Sequence, residues 1–253
     1  MIKRRFRERL LSGEMLVGTL ISLPSPEIAE LLASCGFDWL FIDLEHGPVS
    51  YLEAQRMTMA AGSKASCVLR VTVNNEEAIK KALDLGPAGI IVPQLRSKED
   101  AELAVRCARY PPEGERSVGI ARAHGYGMDF QGYVERANRD TALILQVEHI
   151  MAVENIDAIL EVPGIDALLV GPYDLSGSMG IIGEVNDPGL KAAITTVRQR
   201  CLEAGMPVGI FSADLQTAKA YMDEGFRLLV IGTDTFMLGN TAVSVIKELK
   251  NSS

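Results

Sequence analysis

Short apolar runs alternate along this chain with longer stretches in which apolar positions recur every three or four residues. The runs read as buried strands and the periodic stretches as amphipathic helices. Strand-like runs fall at residues 16–21, 39–43, 67–71, 89–92, 142–148, 208–211 and 228–231, and one more runs out into Gly171. Helical periodicity occupies residues 26–35, 50–62, 76–85, 98–109, 133–138, 188–204, 215–224 and 241–249, and also the stretch between the fifth and sixth strands. Eight strands in strict alternation with helices predict an α/β fold, a single (β/α)8 TIM barrel with an additional C-terminal helix. An open doubly wound sheet usually has fewer strands. No linker or low-complexity tract interrupts the pattern, so residues 1–253 are expected to form one domain.

Two segments are too long for plain connectors, residues 110–127, rich in Gly, Pro and Arg, and residues 171–188. Loops of that kind are usually functional. Barrels of this type carry their sites at the C-terminal ends of the strands. The second strand ends in Asp43, Glu45 and His46, the third in Arg70, and the fourth in Pro93 and Gln94. Gln146 and Glu148 follow on the fifth, Gly171, Pro172 and Asp174 on the sixth, Ser212 on the seventh, and Gly232 and Thr233 on the eighth. Strand alternation sends Ile144, Gln146 and Glu148 to one face and Val147 and His149 to the other. If the first face is the barrel interior, a polar amide and a carboxylate are aimed at its mouth.

Buried carboxylates are costly unless paired, protonated or bound to a metal. Glu148 and Asp174, on adjacent strands, either hold a hard divalent cation completed by water and substrate oxygens or pair with nearby arginines and cap helices. His46 follows Asp43 by three residues, a spacing at which the carboxylate can orient the imidazole for general acid–base work. The plain structural alternatives are a helix cap for Asp43 and a satisfied hydrogen bond for His46. Arg70 either pairs with Glu45 or another carboxylate, or receives an anionic substrate. No lysine falls at a strand C-terminal end, which disfavours Schiff-base chemistry and leaves metal-assisted carbonyl chemistry as the better fit.

The composition of the 253 residues, 47% hydrophobic and 23% charged, is that of a globular enzyme-sized protein. A formal charge of −8 argues against nucleic acid and anionic membrane surfaces as partners. Cys35, Cys67, Cys107 and Cys201 form no CxxC pair, the pattern of buried thiols in a reducing cytoplasm. The basic start, MIKRRFRERL, is followed by neither an apolar h-region nor a cleavage site, so it is expected to be a solvated first helix. No run approaches the length a membrane span needs, and a cytoplasmic location is expected.

FDWLFIDLEHGP, VLRV, ARYPPEGERSVG, QVEH and VGPYDLSGSMG, with VIGTDT near the end, closely resemble the HpcH/HpaI aldolase family of class II pyruvate aldolases, in the same order over nearly the whole chain. The resemblance implies reversible cleavage of a 4-hydroxy-2-oxo acid, such as a 2-keto-3-deoxy sugar acid or a 4-hydroxy-2-oxo-dioate, to pyruvate and an aldehyde. It implies a divalent cation, Mg2+ or Mn2+ with Co2+ as a further candidate, held by Glu148 and Asp174. Arg70 matches the family's enolate-stabilising arginine, Asp43 and His46 its Asp–His pair, and Gln146 its pyruvate-contacting glutamine. Gly171 to Asp174 would lie near the substrate carboxylate, and Asp84 would lie near a subunit interface. The family usually has Thr where this chain has His149; strand parity sends that side chain away from the barrel interior, so packing or tuning beside the ligands is expected of it rather than a third ligand, and Glu45 and Asp84 are further candidates beside the ligands. Arg122 and His124 are candidates for the aldehyde's binding groups, and the resemblance implies a homo-hexamer. Two other readings stay open: an acyl-CoA lyase of the citrate lyase beta or malyl-CoA lyase type, and a non-catalytic barrel that binds metal and keto acid.

Overall fold

The computed structural model describes residues 5–251. Eight parallel strands, β1 (Leu16–Ile21), β2 (Trp39–Asp43), β3 (Ser66–Arg70), β4 (Gly89–Val92), β5 (Ala142–Val147), β6 (Ala167–Val170), β7 (Val208–Ser212) and β8 (Leu228–Thr233), close into a barrel in sequence order. The register joins β8 back to β1, so no strand edge is left open. This is the eight-stranded barrel that the periodicity predicts.

Period-two alternation sorts the strand residues into two cores. Leu16, Phe41, Val68, Ile91, Ile144, Leu169 and Val230 fill the barrel interior. Their neighbours Leu40, Ile42, Leu69, Ile90, Leu143, Leu145 and Val147 face the surrounding helices. Trp39 closes the lower interior, with its ring 6.1 Å from Phe41 and 5.9 Å from Phe6. Gly18 makes room for it, since a Cβ there would lie 2.5 Å from the indole. Helix α1 (Phe6–Leu11) is no solvated helix, because Phe6 is 3% and Leu10 0% exposed and both belong to the interior core. The basic residues before Arg5 lie outside the described residues.

The outer layer begins with α2 (Pro26–Ser34), α3 (Tyr51–Ala61), α4 (Glu76–Asp84) and α5 (Lys98–Ala108). Helices α3 and α5 start with capping boxes, Ser50 with Glu53 and Ser97 with Asp100. A 3-10 turn, Arg122–Gly127, precedes α6 (Phe130–Asp140). The stretch between β5 and β6 folds as two short helices, α7 (Ile150–Glu154) and α8 (Ile156–Leu160). The loop expected at 171–188 opens instead with a helix, α9 (Pro172–Ser178), whose first residue suits proline because a helix needs no N–H there. Then come α10 (Pro188–Glu203), α11 (Leu215–Asp223) and α12 (Asp234–Asn251), the last beginning seven residues before the predicted helix at 241. Buried Asp234 ties its start to the end of β1, accepting hydrogen bonds from Ser22 N and Leu23 N. Among the described residues no helix is long and apolar enough to cross a membrane.

Candidate active site

Parallel register places Asp43 of β2 directly beside Arg70 of β3. Arg70 Nε donates to Asp43 Oδ1 at 2.9 Å and Arg70 Nη2 to Asp43 Oδ2 at 2.7 Å, a two-pronged pair. Asp43 Oδ1 also accepts from the backbone N–H groups of Glu45 and His46, at 3.0 and 3.4 Å. Burial works to raise the Asp43 pKa, but the hydrogen bonds and charge of Arg70, with those two N–H groups, hold it below the usual carboxylate range. Glu45 Oε2 lies 3.2 Å from Arg70 Nε, a charge contact without hydrogen-bond geometry. The guanidinium also sits 5.2 Å over the Phe41 ring.

A second polar string begins at the same arginine. Arg70 Nη1 donates to Gln146 Oε1 at 3.4 Å, and Gln146 Nε2 donates to Glu148 Oε2 at 2.7 Å. The inward parity predicted for Gln146 is what makes this possible, although β5 stops at Val147 and leaves Glu148 one residue beyond it. Glu148 Oε1 accepts from Gln94 N at 2.6 Å. Gln94 reaches that position with φ 58°, a left-handed conformation that costs a side-chain-bearing residue energy and turns its N–H toward the carboxylate. Burial pushes Glu148 up to about 7, and the charges of Glu45 and Asp174 add to this against the Gln94 N–H and Arg70. Gly171 sits above the pair, where a Cβ would approach Gln146 Nε2 to 3.1 Å.

The cavity over these groups has two lobes. An inner one of about 160 Å³ is lined by Arg70, Gln146, Gly171, Pro172 and the apolar side chains of Leu20, Phe41, Leu169 and Phe211. An outer one of about 410 Å³ is lined by Glu45, Gln94, Arg96, Glu148, His149, Gly177, Ser178 and Ile182. His46 and Asp174 line both. Asp174 stands in the first turn of α9. Among the described residues no lysine lines either lobe.

Several expectations are corrected. Asp43 does not orient the His46 imidazole; it binds the backbone N–H of His46 and clamps Arg70. The carboxylate near the ring is Glu45, whose Oε2 lies 3.8 Å from His46 Nε2, and the ring is 68% exposed. His149 is not turned away from the site, because β5 has ended before it. It caps α7, with Nδ1 accepting from Met151 N at 3.2 Å, and lines the outer lobe. Asp84, Arg122 and His124 gather at the other end of the barrel. Asp84 ends α4 and accepts from Arg116 Nη2 at 2.8 Å. Arg122 donates to Leu85 O at 2.6 Å. Buried His124 meets Tyr110 Oη at 3.1 Å and stacks on Phe130, and burial lowers its pKa. Within one chain these three residues do not reach the cavity. The sequence places Gln94 at the end of the fourth strand but assigns it no role, and Arg96 goes unnamed there; both follow β4, but no local signal announces the left-handed turn at Gln94.

The donors around Glu148 suit a hard cation. Its oxygens accept only neutral N–H groups, and its neighbours Glu45 and Asp174 repel it. A divalent ion between Glu148 and Asp174 would relieve both costs with oxygen donors, as Mg2+ and Mn2+ prefer. Among the described residues no cluster of three or more His, Cys, Asp or Glu is placed to hold a metal. Such an ion would therefore rest on two carboxylates, with water and substrate completing its shell.

Residues 17–241 match the family model described as HpcH/HpaI aldolase/citrate lyase. The chain is 38% identical over 248 residues to a hydroxypyruvate/pyruvate aldolase of Roseobacter denitrificans, covering 97% of this chain and 96% of that one. It is 36% identical to a 4-hydroxy-2-oxo-heptane-1,7-dioate aldolase of Shigella flexneri, covering 100% of this chain and 95% of the relative. Among solved structures, an HpcH/HpaI aldolase/citrate lyase family protein from Burkholderia cenocepacia superposes with a TM-score of 0.93 at 34% identity, covering 96% of this chain and 98% of that one.

Proposed function

The chain belongs to the HpcH/HpaI aldolase/citrate lyase family and is a carbon–carbon lyase, and from that premise we propose that it is a metal-dependent aldolase that reversibly cleaves a 4-hydroxy-2-oxo acid to pyruvate and an aldehyde. The observation that carries the reading is the continuous polar string Asp43–Arg70–Gln146–Glu148 beneath a cavity that, among the described residues, no lysine lines.

Glu148 and Asp174 are the residues that would hold the cation. When bound, it supplies Lewis acidity toward the keto oxygen of the 2-oxo acid. Gln146 and the open space at Gly171 position the pyruvyl end. In cleavage, His46 takes the proton of the C4 hydroxyl, directly or through one water, and Glu45 is the carboxylate close enough to steady the imidazolium. The C3–C4 bond breaks as the C4 oxygen forms a carbonyl, C4 leaves as the aldehyde carbon, and the bond's electron pair passes through C3 to the C2 oxygen. Arg70 faces the negative oxygen of the resulting pyruvate enolate. Its guanidinium is held in place by Asp43 and Glu45, so no reorganisation is needed as charge develops. Protonation at C3 then yields pyruvate.

Loss of the pyruvate methyl proton signal in deuterated water, dependent on Mg2+ or Mn2+ and abolished by a chelator, is the expected result. Absence of exchange with any divalent cation overturns the reading. A retro-aldol screen over 4-hydroxy-2-oxo acids then identifies the aldehyde. An acyl-CoA lyase finds no supporting feature in the cavity.

A further inference from the structure

Among the cationic groups around the cavity one is uncommitted, and among the carboxylates Asp174 alone has no hydrogen-bond or ion-pair partner among the described residues. Arg70 is committed to Asp43, Glu45 and Gln146. Asp100 is committed to the backbone N–H groups of Arg96 and Ser97, and Glu161 to Lys98 at 3.1 Å. Glu148 is taken by Gln94 N and Gln146 Nε2. Arg96 lines the outer lobe, and among the described residues its guanidinium has no hydrogen-bond or carboxylate partner.

The backbone of Arg96 is nevertheless fixed on both sides. Its N–H donates to Asp100 Oδ2 at 3.0 Å, and its carbonyl accepts from Asn155 Nδ2 at 3.0 Å. Asn155 joins α7 to α8, so it binds the loop after β4 to the segment that carries His149. The two loops form one wall. On that wall His149 has Nδ1 occupied by Met151 N, which makes Nε2–H the group it presents. An anchored, uncommitted arginine beside an N–H donor is suited to an oxyanion, which a guanidinium grips with two parallel hydrogen bonds.

Position decides which end of a substrate meets this wall. A 2-oxo acid seated at Glu148 and Asp174, with its reacting carbons at Arg70 and His46, has its remaining atoms directed outward through the larger lobe. That lobe is otherwise lined by the carboxylates Glu45, Glu148 and Asp174, which repel a second negative charge. Resting on the aldolase reading above, we propose that Arg96, assisted by His149, is the specificity-determining group for the aldehyde half of the substrate, which carries a carboxylate at its far end.

The test uses the full-length enzyme with Mg2+ or Mn2+ and compares two aldehydes of equal length, succinic semialdehyde and butanal, in condensation with pyruvate. Arg96→Gln is expected to lower kcat/KM for the semialdehyde about tenfold or more, through KM, and to leave butanal within about twofold. Arg96→Lys, which keeps the charge without the fork, is expected to retain part of the preference. Calorimetric titration gives a readout independent of turnover: 2-oxoheptanedioate and 2-oxoheptanoate both lack the 4-hydroxyl and are not cleaved. The native protein is expected to bind the dioate more tightly, and Arg96→Gln to remove the difference. Equal losses for both aldehydes, or an unchanged ratio, overturns the assignment of Arg96 while normal pyruvate exchange leaves the aldolase reading intact. If the native protein exchanges no pyruvate protons, the aldolase reading falls and the subsite falls with it.

Discussion

Arg70 at the top of the barrel and Arg109 at the bottom are both buried, and each meets an aspartate at 2.7 Å. Their surroundings differ. Arg109 donates to the carbonyls of Asn138, Thr141 and Gly164 as well as to Asp166, and Asp166 also accepts from Arg7 and from Leu143 N. That cluster staples α1, α5 and the entries to β5 and β6. Arg70 lines the inner cavity lobe, one of its carboxylate contacts lacks hydrogen-bond geometry, and the string it starts ends in a carboxylate with a raised pKa. Arg109 too keeps one buried nitrogen, Nε, without a partner, so what separates the structural ion cluster from the reactive one is the cavity onto which Arg70 opens.

Removing the bottom arginine is expected to give the largest change. Arg109→Met strands Asp166 with less than its full set of donors and should cost about 3–5 kcal/mol, read from urea unfolding, with turnover per folded molecule retained. A cost below about 1 kcal/mol would mean that the bottom cluster is dispensable. At the top, Arg70→Lys keeps the charge but not the fork. It should lower kcat by about 10²–10³ with smaller effects on stability and with metal affinity preserved; near-native turnover would show that Arg70 is misassigned.

Glu148 gives the next effect, with a sign set by its environment. Its folded pKa is raised from 4.5 to about 7. The stability this provides is therefore fully present below pH 4.5 and lost as pH rises through about 7, a change of about 3 kcal/mol. Unfolding measured in chelator across this range should show the decline. Glu148→Gln should flatten it, and Mg2+ or Mn2+ should offset it at pH 8 in the native protein only. The smallest effect belongs to His149→Ala, which removes one N-cap bond and should cost about 1 kcal/mol or less; a loss several times larger would give His149 a structural role beyond the cap.

The strand count, the inward parity of Gln146 and the concentration of polar residues at strand C-termini are legible in the chain, because each follows from a period of two or 3.6 residues. The pairing of Arg70 with a carboxylate also follows, since a guanidinium at the end of a buried strand needs a partner. Other features depend on contacts between segments distant in sequence. Asp43 was expected to orient His46 three residues away, but β3 presents Arg70 to it in register and the stronger partner prevails. The basic start MIKRRFRERL was expected to be a solvated helix, yet the helix at 6–11 brings Phe6 and Leu10 to one side, and the barrel bottom offers Trp39 to cover.

By itself the sequence determined the architecture and the chemical inventory, a barrel whose mouth collects carboxylates, an arginine and histidines with no lysine among them. Periodicity is a local property, and eight repeats of it suffice to specify a closed sheet. Only the tertiary structure decided the partnerships: which carboxylate clamps Arg70, which one meets His46, and why Glu148 holds its proton to about 7. It also separated Asp84, Arg122 and His124 from the cavity and brought Arg96 to it. Charge and hydrogen bonding act over a few ångströms of space, and barrel closure sets those distances with no regard for separation along the chain.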